Sequence, residues 1–231
     1  MSSNKKKIGI LGSGTVAQTL ALGLLAGGHA VQVGTRDVAK TRANTAPNRW
    51  GSPGPGAFYQ AHQEVPLVSL AEAAAWGELL VNATSGSGTL EALTTARADR
   101  LGTKVLIDLA NPLDFSQGFP PTLSVVNTDS LGEQVQRAFP TLRVVKTLNT
   151  LNADLMLQPG KVAGGKHTLF LSGNDGAAKT EVKALLEDFG WKDIIDLGDI
   201  TTARGTEQLL PLWVRLMGTL GHANFQFQVV R

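Results

Sequence analysis

Apolar positions along the chain fall into short runs that alternate with helical stripes. Residues 7–11 form an apolar run of strand length. Residues 15–26 follow with Val16, Leu20 and Leu24 at helical spacing, and Gly27 and Gly28 end that stretch. Residues 30–34 predict a second strand with Val31 and Val33 pointing one way, and Asp37 stands where it would cap a short helix. Residues 46–66 break the rhythm: four prolines and three glycines, with Trp50, Phe58 and Tyr59 among them, predict a long loop. A helix over 71–76 and a strand over 78–83 come next. Strands are then expected at 104–109 and 144–148, the second after a helix at 131–139. Further on come a strand at 167–172, a helix at 177–189, a strand at 194–197 and a long closing helix over 206–221, interrupted or started by Pro211. Strands separated by helices of this length predict an α/β fold with a parallel sheet and right-handed crossovers.

Composition narrows the class. Of 231 residues, 42% are apolar, 17% are charged and 26 are glycine, which suits a globular chain and excludes a coiled coil or a disordered tail protein. The absence of cysteine excludes disulfides, iron–sulfur clusters and thiol chemistry. His29, His62, His167 and His222 are scattered, so no metal site is expected. A net charge of +2 and a single basic run at residues 5–7 give no expectation of a nucleic-acid partner. The apolar stretch after that run is interrupted by Gly12, Ser13, Gly14, Thr15, Gln18 and Thr19, unlike a secretory leader. No window approaches the roughly 18 apolar residues of a membrane span. The expectation is a soluble, cytoplasmic protein with no membrane partner.

One motif carries chemistry. Gly12-Ser13-Gly14-Thr15-Val16-Ala17 reads G-x-G-x-x-A, directly after the first strand and opening the first helix. In that position it predicts a Rossmann-type doubly wound sheet that binds a dinucleotide. The first glycine permits the tight turn, the second leaves no Cβ between backbone and pyrophosphate, and Ala17 lets helix and strand pack closely. The helix start offers free N–H groups and a positive dipole end. A plain glycine turn in an α/β fold is the bland alternative. The second strand ends in Thr35-Arg36, with no carboxylate at its tip. A hydroxyl and a guanidinium suit a 2′-phosphate, so NADP is expected over NAD, with Lys40 and Arg42 as possible additions. Asp37, which argues the other way, lies one or two residues too far on and reads better as a helix cap.

Three segments stand at expected strand ends. Thr84, Ser85 and Gly86 belong to a small-residue loop that would let backbone approach the nicotinamide riboside, or they form an ordinary glycine-rich loop. Asn111 and Asn149, with Thr150, either line the floor under the nicotinamide or are simple turn residues. His222 reads as a core or surface histidine. Trp191, Trp213, Leu209, Leu212 and Leu216 read as core or dimer interface. Strand alternation points Lys146 away from Thr147.

These residues resemble a known family, the NADPH-dependent coenzyme F-420 reductase-like proteins, along nearly the whole chain. The matching marks are Ile8-Gly9-Ile10-Leu11-Gly12-Ser13-Gly14, Gly34-Thr35-Arg36-Asp37, Asn82-Ala83-Thr84 and Asp108-Leu109-Ala110-Asn111-Pro112. Val144-Val145-Lys146-Thr147-Leu148-Asn149-Thr150 and Ala203-Arg204-Gly205-Thr206-Glu207 are the more specific ones. The cytosolic reductase domain of the six-transmembrane metalloreductases, which passes hydride from NADPH to a flavin, looks like a relative. The resemblance implies an NADP-binding Rossmann domain over residues 1–150 and a small C-terminal α/β lobe over 151–231, usually in a homodimer. It implies a deazaflavin or flavin acceptor in a cleft between the lobes. It puts the 2′-phosphate on Thr35, Arg36 and Lys40. The loop at 46–66 is longer and more aromatic than the deazaflavin enzymes suggest, and is expected to cover the cleft, with its aromatic rings stacking on a planar acceptor. Two rivals stand beside this reading. A β-hydroxyacid dehydrogenase or imine reductase needs a large helical second domain, and 81 residues after Thr150 are few for one. A non-enzymatic NADP sensor needs only the phosphate loop.

Overall fold

A computed structural model describes residues 5–47 and 51–231. Its centre is an eight-stranded sheet made of β1 (Lys7–Leu11), β2 (Ala30–Thr35), β3 (Leu67–Ser69), β4 (Leu79–Asn82), β5 (Val105–Asp108), β8 (Arg143–Thr147), β9 (Thr168–Ser172) and β10 (Asp193–Asp196). β6 (Leu113–Asp114) and β7 (Thr122–Leu123) form a separate antiparallel ribbon. The strand order is β10-β9-β8-β5-β4-β1-β2-β3. The chain runs outward from β1 to β3 on one side and from β4 to β8 on the other. That reversal leaves a crevice at the carboxyl ends of β1 and β4, where open α/β sheets bind ligands.

Every pairing in this sheet is parallel except β8 with β9. The parallel sheet expected is thus present with one antiparallel pairing, whose cause is local. The connection between these strands contains only α8 (Ala153–Met156) and short 3-10 turns. Such a connection has no crossover helix to carry the chain back to the starting edge, so β9 runs the other way. Residues after 150 therefore add β9 and β10 to the same sheet. The end of the chain returns to it as well: the Thr168 amide donates to Phe227 O at 2.9 Å.

Strand alternation sorts the core into two layers. Leu79, Val81, Val105, Ile107 and Val145 face α1 (Thr15–Ala26), α3 (Pro55–Ala61), α8 and α9 (Gly176–Asp188). Leu80, Leu106 and Val144 face α4 (Leu70–Trp76), α5 (Thr89–Ala96), α6 (Ala98–Leu101), α7 (Leu131–Ala138) and α10 (Ala203–Gln208). Each such leucine, isoleucine or valine contributes about 1.5–3 kcal/mol by leaving water. Helix starts are capped by side chains where the sequence supplies them. Asp37 accepts from the Lys40 amide at the head of α2 (Val38–Ala43), and Ser69 and Glu72 form a reciprocal capping box on α4.

Two expectations change. Residues 46–66 are not one long loop. Pro55, with its φ already helical, starts α3, and the Gly56 amide donates to Asn44 O at 2.8 Å. Phe58 and Tyr59 are 8% and 2% exposed and belong to the core, so they are not rings over an open cleft. Trp50 lies outside the described residues. The closing helix is two helices, α10 and α11 (Leu210–Leu220), because Pro211 lacks the N–H that a continuous helix would use and sits in the first turn of a new one.

Candidate functional site

The site begins where β1 passes into α1. Gly12 has φ +113, and a Cβ there would lie 2.6 Å from Ala83 O, so only glycine serves. Gly14 has ordinary backbone angles, φ −78 and ψ −174, and a Cβ on it would meet nothing within 4 Å. It borders open space in front of the helix. α1 has no acidic residue in its first turn and no side-chain cap, so no carboxylate of the helix itself stands at its positive end. Ala17 is fully buried and allows the close approach of α1 to β1. The loop is braced from behind: Ser13 O accepts from Gln18 Nε2 at 3.2 Å and from the Tyr59 hydroxyl at 3.4 Å. Burial pushes the Tyr59 phenol well above its usual range, so it stays a donor.

At the tip of β2, Thr35 is buried with its Oγ1 2.8 Å from Thr41 Oγ1 and 3.4 Å from Ser13 Oγ. Asp37 Oδ1 accepts from the Lys40 amide at 2.9 Å, the capping role its position suggested. Arg36 is exposed and reaches across to α5, where its Nη1 lies 3.3 Å from Glu91 Oε2. Gly12, Ser13, Gly14, Thr35, Arg36, Lys40, Thr84 and Ser85 all line one cavity of about 670 Å³. Arg42 does not line it, and Thr15 stands exposed at the start of α1 outside it.

A second cavity, of about 280 Å³, adjoins the first at Ala83, Thr84 and Ser85. Val16, Gly86, Asn111 and Asn149 line it, together with Leu109, Leu151, Met156 and Phe115. Among the described residues none of its lining is ionisable. Asn111 and Asn149 are held face to face. Asn111 Nδ2 donates to Asn149 O at 2.8 Å, and Asn149 Nδ2 donates to Asn111 Oδ1 at 2.9 Å. Gly86 packs so closely on the Asn111 carbonyl that a Cβ would overlap it. The expected site residues are thus gathered in two joined cavities, with Thr15 at their edge.

A buried polar network behind the cavities was not expected from the sequence. Asn82, Asp108 and Lys146 occupy matching register positions on β4, β5 and β8. They continue the parity of Leu80, Leu106 and Val144, so all three face the α7–α10 layer. Alternation sent Lys146 away from Thr147, as the sequence implied, but toward two carboxylates. Its ammonium lies 2.9 Å from Asp108 Oδ2 and 2.8 Å from Glu207 Oε1, and also donates to Ala110 O. Its three N–H donors thereby meet three acceptors. Burial alone would depress the Lys146 pKa, but Asp108 and Glu207 outweigh it and hold it above lysine's usual value. Glu207 also accepts from the Leu131 and Gly132 amides at 2.7 and 3.0 Å, at the start of α7. On the other side Asn82 Nδ2 donates to Asp108 Oδ1 at 2.7 Å, and Thr84 Oγ1 donates to Asn82 Oδ1 at 2.7 Å. The network ends at Thr84 and Ala110, both on the cavity wall. Matching parity at three neighbouring strand ends was the available signal. It required the register, which the sequence does not state. His222, by contrast, is exposed.

Residues 7–112 match the family described as NADP oxidoreductase, coenzyme F420-dependent. A solved structure from Arthrobacter sp. FB24, provisionally named an F420-dependent NADP-reductase, is 55% identical. The match covers 98% of this chain and 100% of that one, with a TM-score of 0.92. The chain belongs to the coenzyme F-420-dependent NADP oxidoreductase family. It is accordingly an NADP-dependent oxidoreductase. The rat (Rattus norvegicus) protein Metalloreductase STEAP3 is 29% identical over 211 residues, which are 90% of this chain; the chain spans 38% of that curated relative's length. A reductive aminase from Aspergillus terreus, solved with NADPH and ethyl levulinate, shares the fold at 16% identity and a TM-score of 0.60, over 94% of this chain and 63% of its own. Among the described residues no helix is long and apolar enough to cross a membrane.

Proposed function

We propose that the protein moves hydride between NADP(H) and a deazaflavin (coenzyme F-420) or flavin-type acceptor. The observation that carries this reading is the junction of two cavities at Ala83, Thr84 and Ser85, the second of them walled, among the described residues, without an ionisable side chain. When bound, the two cofactors would supply the bond chemistry, a hydride donor on one side and a conjugated ring able to take that hydride and a solvent proton on the other.

The chain's own residues bind and orient. Gly12, Ser13, Gly14, Thr15 and Val16 form the pyrophosphate cradle, since they stand at the turn into the N-terminus of α1 and a Cβ on Gly14 would meet nothing within 4 Å. Thr35, Arg36 and Lys40 bind the 2′-phosphate, the role that separates NADP from NAD. Thr84, Ser85 and Gly86 approach the nicotinamide riboside. Asn111 and Asn149 form a polar floor beneath the reacting rings, and Leu151, Ala153 and Met156 complete the far wall of the acceptor cavity. Proximity is then the protein's main contribution, with donor and acceptor carbons held about 3–3.5 Å apart.

A carbonyl or imine reductase must deliver a proton to its product. The ionisable groups behind the acceptor cavity, Asp108 and Lys146, are committed to each other, to Glu207 and to backbone. That favours transfer without a side-chain acid. A homodimer in the cytoplasm completes the reading; Leu212 and Leu220 on α11 are 51% and 48% exposed and would be covered in such a dimer. A spectrophotometric screen of NADPH oxidation against coenzyme F-420, FMN, FAD, quinones, ferric complexes, keto acids and imines tests it. Turnover with a deazaflavin or flavin is the expected result. Turnover confined to a keto acid or imine, or NADPH binding with no acceptor, would overturn it.

A further inference from the structure

Arg36 and Glu91 come from opposite walls of the larger cavity. Arg36 stands at the tip of β2 among the lining residues Thr35, Asp37 and Lys40. Glu91 is on α5, whose neighbouring Gly88 and Ala92 line the other side. Arg36 Nη1 lies 3.4 and 3.3 Å from the two carboxylate oxygens of Glu91. Among the described residues, Glu91 is the acidic partner Arg36 has. We propose that Glu91 is the counter-ion of Arg36 in the cofactor-free protein, and that it sets how strongly the cavity prefers a phosphorylated to an unphosphorylated adenosine ribose. The inference rests on the assignment of Arg36 to the 2′-phosphate.

Three physical points carry it. The two side chains are 66% and 65% exposed, so the pair is bathed in water and worth little. A weak pair is readily exchanged for a stronger one. A phosphate near neutral pH carries close to two negative charges and accepts two guanidinium N–H bonds side by side, which a guanidinium favours over a single long contact with a carboxylate. The exchange leaves Glu91 without its cation and close to a second anion, a penalty that falls only on the phosphorylated ligand. NAD(H) leaves the Arg36–Glu91 pair undisturbed. Glu91 thus opposes NADP(H) alone, and holds its affinity below what Arg36 and Lys40 would otherwise give.

Titration calorimetry with NADPH and NADH on four proteins tests this: wild type, Glu91→Gln, Arg36→Ala and the double variant. In low salt, Glu91→Gln should tighten NADPH about two- to fivefold, the range of an exposed ion pair. NADH affinity should stay within experimental error. The gain should shrink in high salt, where exposed charges are screened, and be clearly smaller in the Arg36→Ala background, where only the repulsion between Glu91 and the phosphate is left. A Glu91→Gln variant that binds both dinucleotides more weakly would mean that Glu91 contacts the shared adenosine, and would overturn the proposal. No change in NADPH affinity would overturn it too. An equal gain with and without Arg36 would show plain repulsion and overturn the counter-ion role. The Arg36→Ala protein alone tests the underlying assignment. If it loses NADPH and NADH equally, that assignment fails whatever Glu91→Gln does.

Discussion

Gly14 offers a clean substitution because its backbone is ordinary. With φ −78 and nothing within 4 Å of an added Cβ, a side chain can be placed here without backbone strain. Gly14→Val should therefore melt within a few degrees of wild type while its side chain stands where the pyrophosphate is proposed to lie. Calorimetry should find no NADPH binding; affinity within about threefold of wild type would exclude the cradle. Arg36 is equally separable from the fold, being exposed and, among the described residues, ion-paired with Glu91. Arg36→Ala should weaken NADPH by about 1.5–3 kcal/mol, roughly ten- to a hundredfold, and leave NADH nearly unchanged.

At the scale of elements, the Asn82–Asp108–Lys146–Glu207 network joins the ends of β4, β5 and β8 to α7 and α10. Removing its only cation would strand two carboxylates in the core. Lys146→Met should destabilise the protein by about 3–5 kcal/mol in a denaturant titration. The pH dependence has a definite sign. Lysine unfolded titrates near pH ~10.4, and Lys146 in the folded protein lies higher. Its stabilising contribution is complete below the unfolded value and is lost as pH rises through the folded one. Wild type should lose more stability than Lys146→Met as pH rises above about 10.4; parallel pH profiles for the two proteins would contradict the ion network. α3 has a similar tie to the site. Its Tyr59 braces Ser13 and its Pro55 lines the larger cavity, so removing residues 46–66 would damage the dinucleotide cradle instead of uncovering an acceptor.

For the molecule as a whole, the proposed homodimer has a testable surface in α11. α11 projects Leu212 and Leu220 into solvent, while Trp213 stacks on Phe225 of the returning C-terminal segment at 5.1 Å. If the homodimer forms through α11, Leu212→Glu should shift the sedimentation profile toward monomer without changing NADPH affinity, because this helix borders neither cavity. A dimer unaffected by the charge would place the interface elsewhere.

The sequence by itself determined most strands of the central sheet, several of its helices and the dinucleotide motif, because these signals are local. A G-x-G-x-x-A between an apolar run and a helical stripe, and a second strand ending in Thr35-Arg36, are read within a few residues of the chain. Asp37 as a cap was legible for the same reason. Tertiary structure alone decided the rest. Phe58 and Tyr59 sit in a proline-rich stretch whose local signals say loop, yet the core they enter is assembled from distant strands. β9 runs antiparallel because of what its connection lacks, which depends on where β8 ends in space. Alternation fixed which face Lys146 takes, but not that Asp108 lies opposite it in register or that Glu207 arrives from 61 residues later, since pairing register is a property of the assembled sheet. The Arg36–Glu91 bridge is non-local in the same way: two exposed charges 55 residues apart meet only because β2 and α5 form the two walls of one cavity.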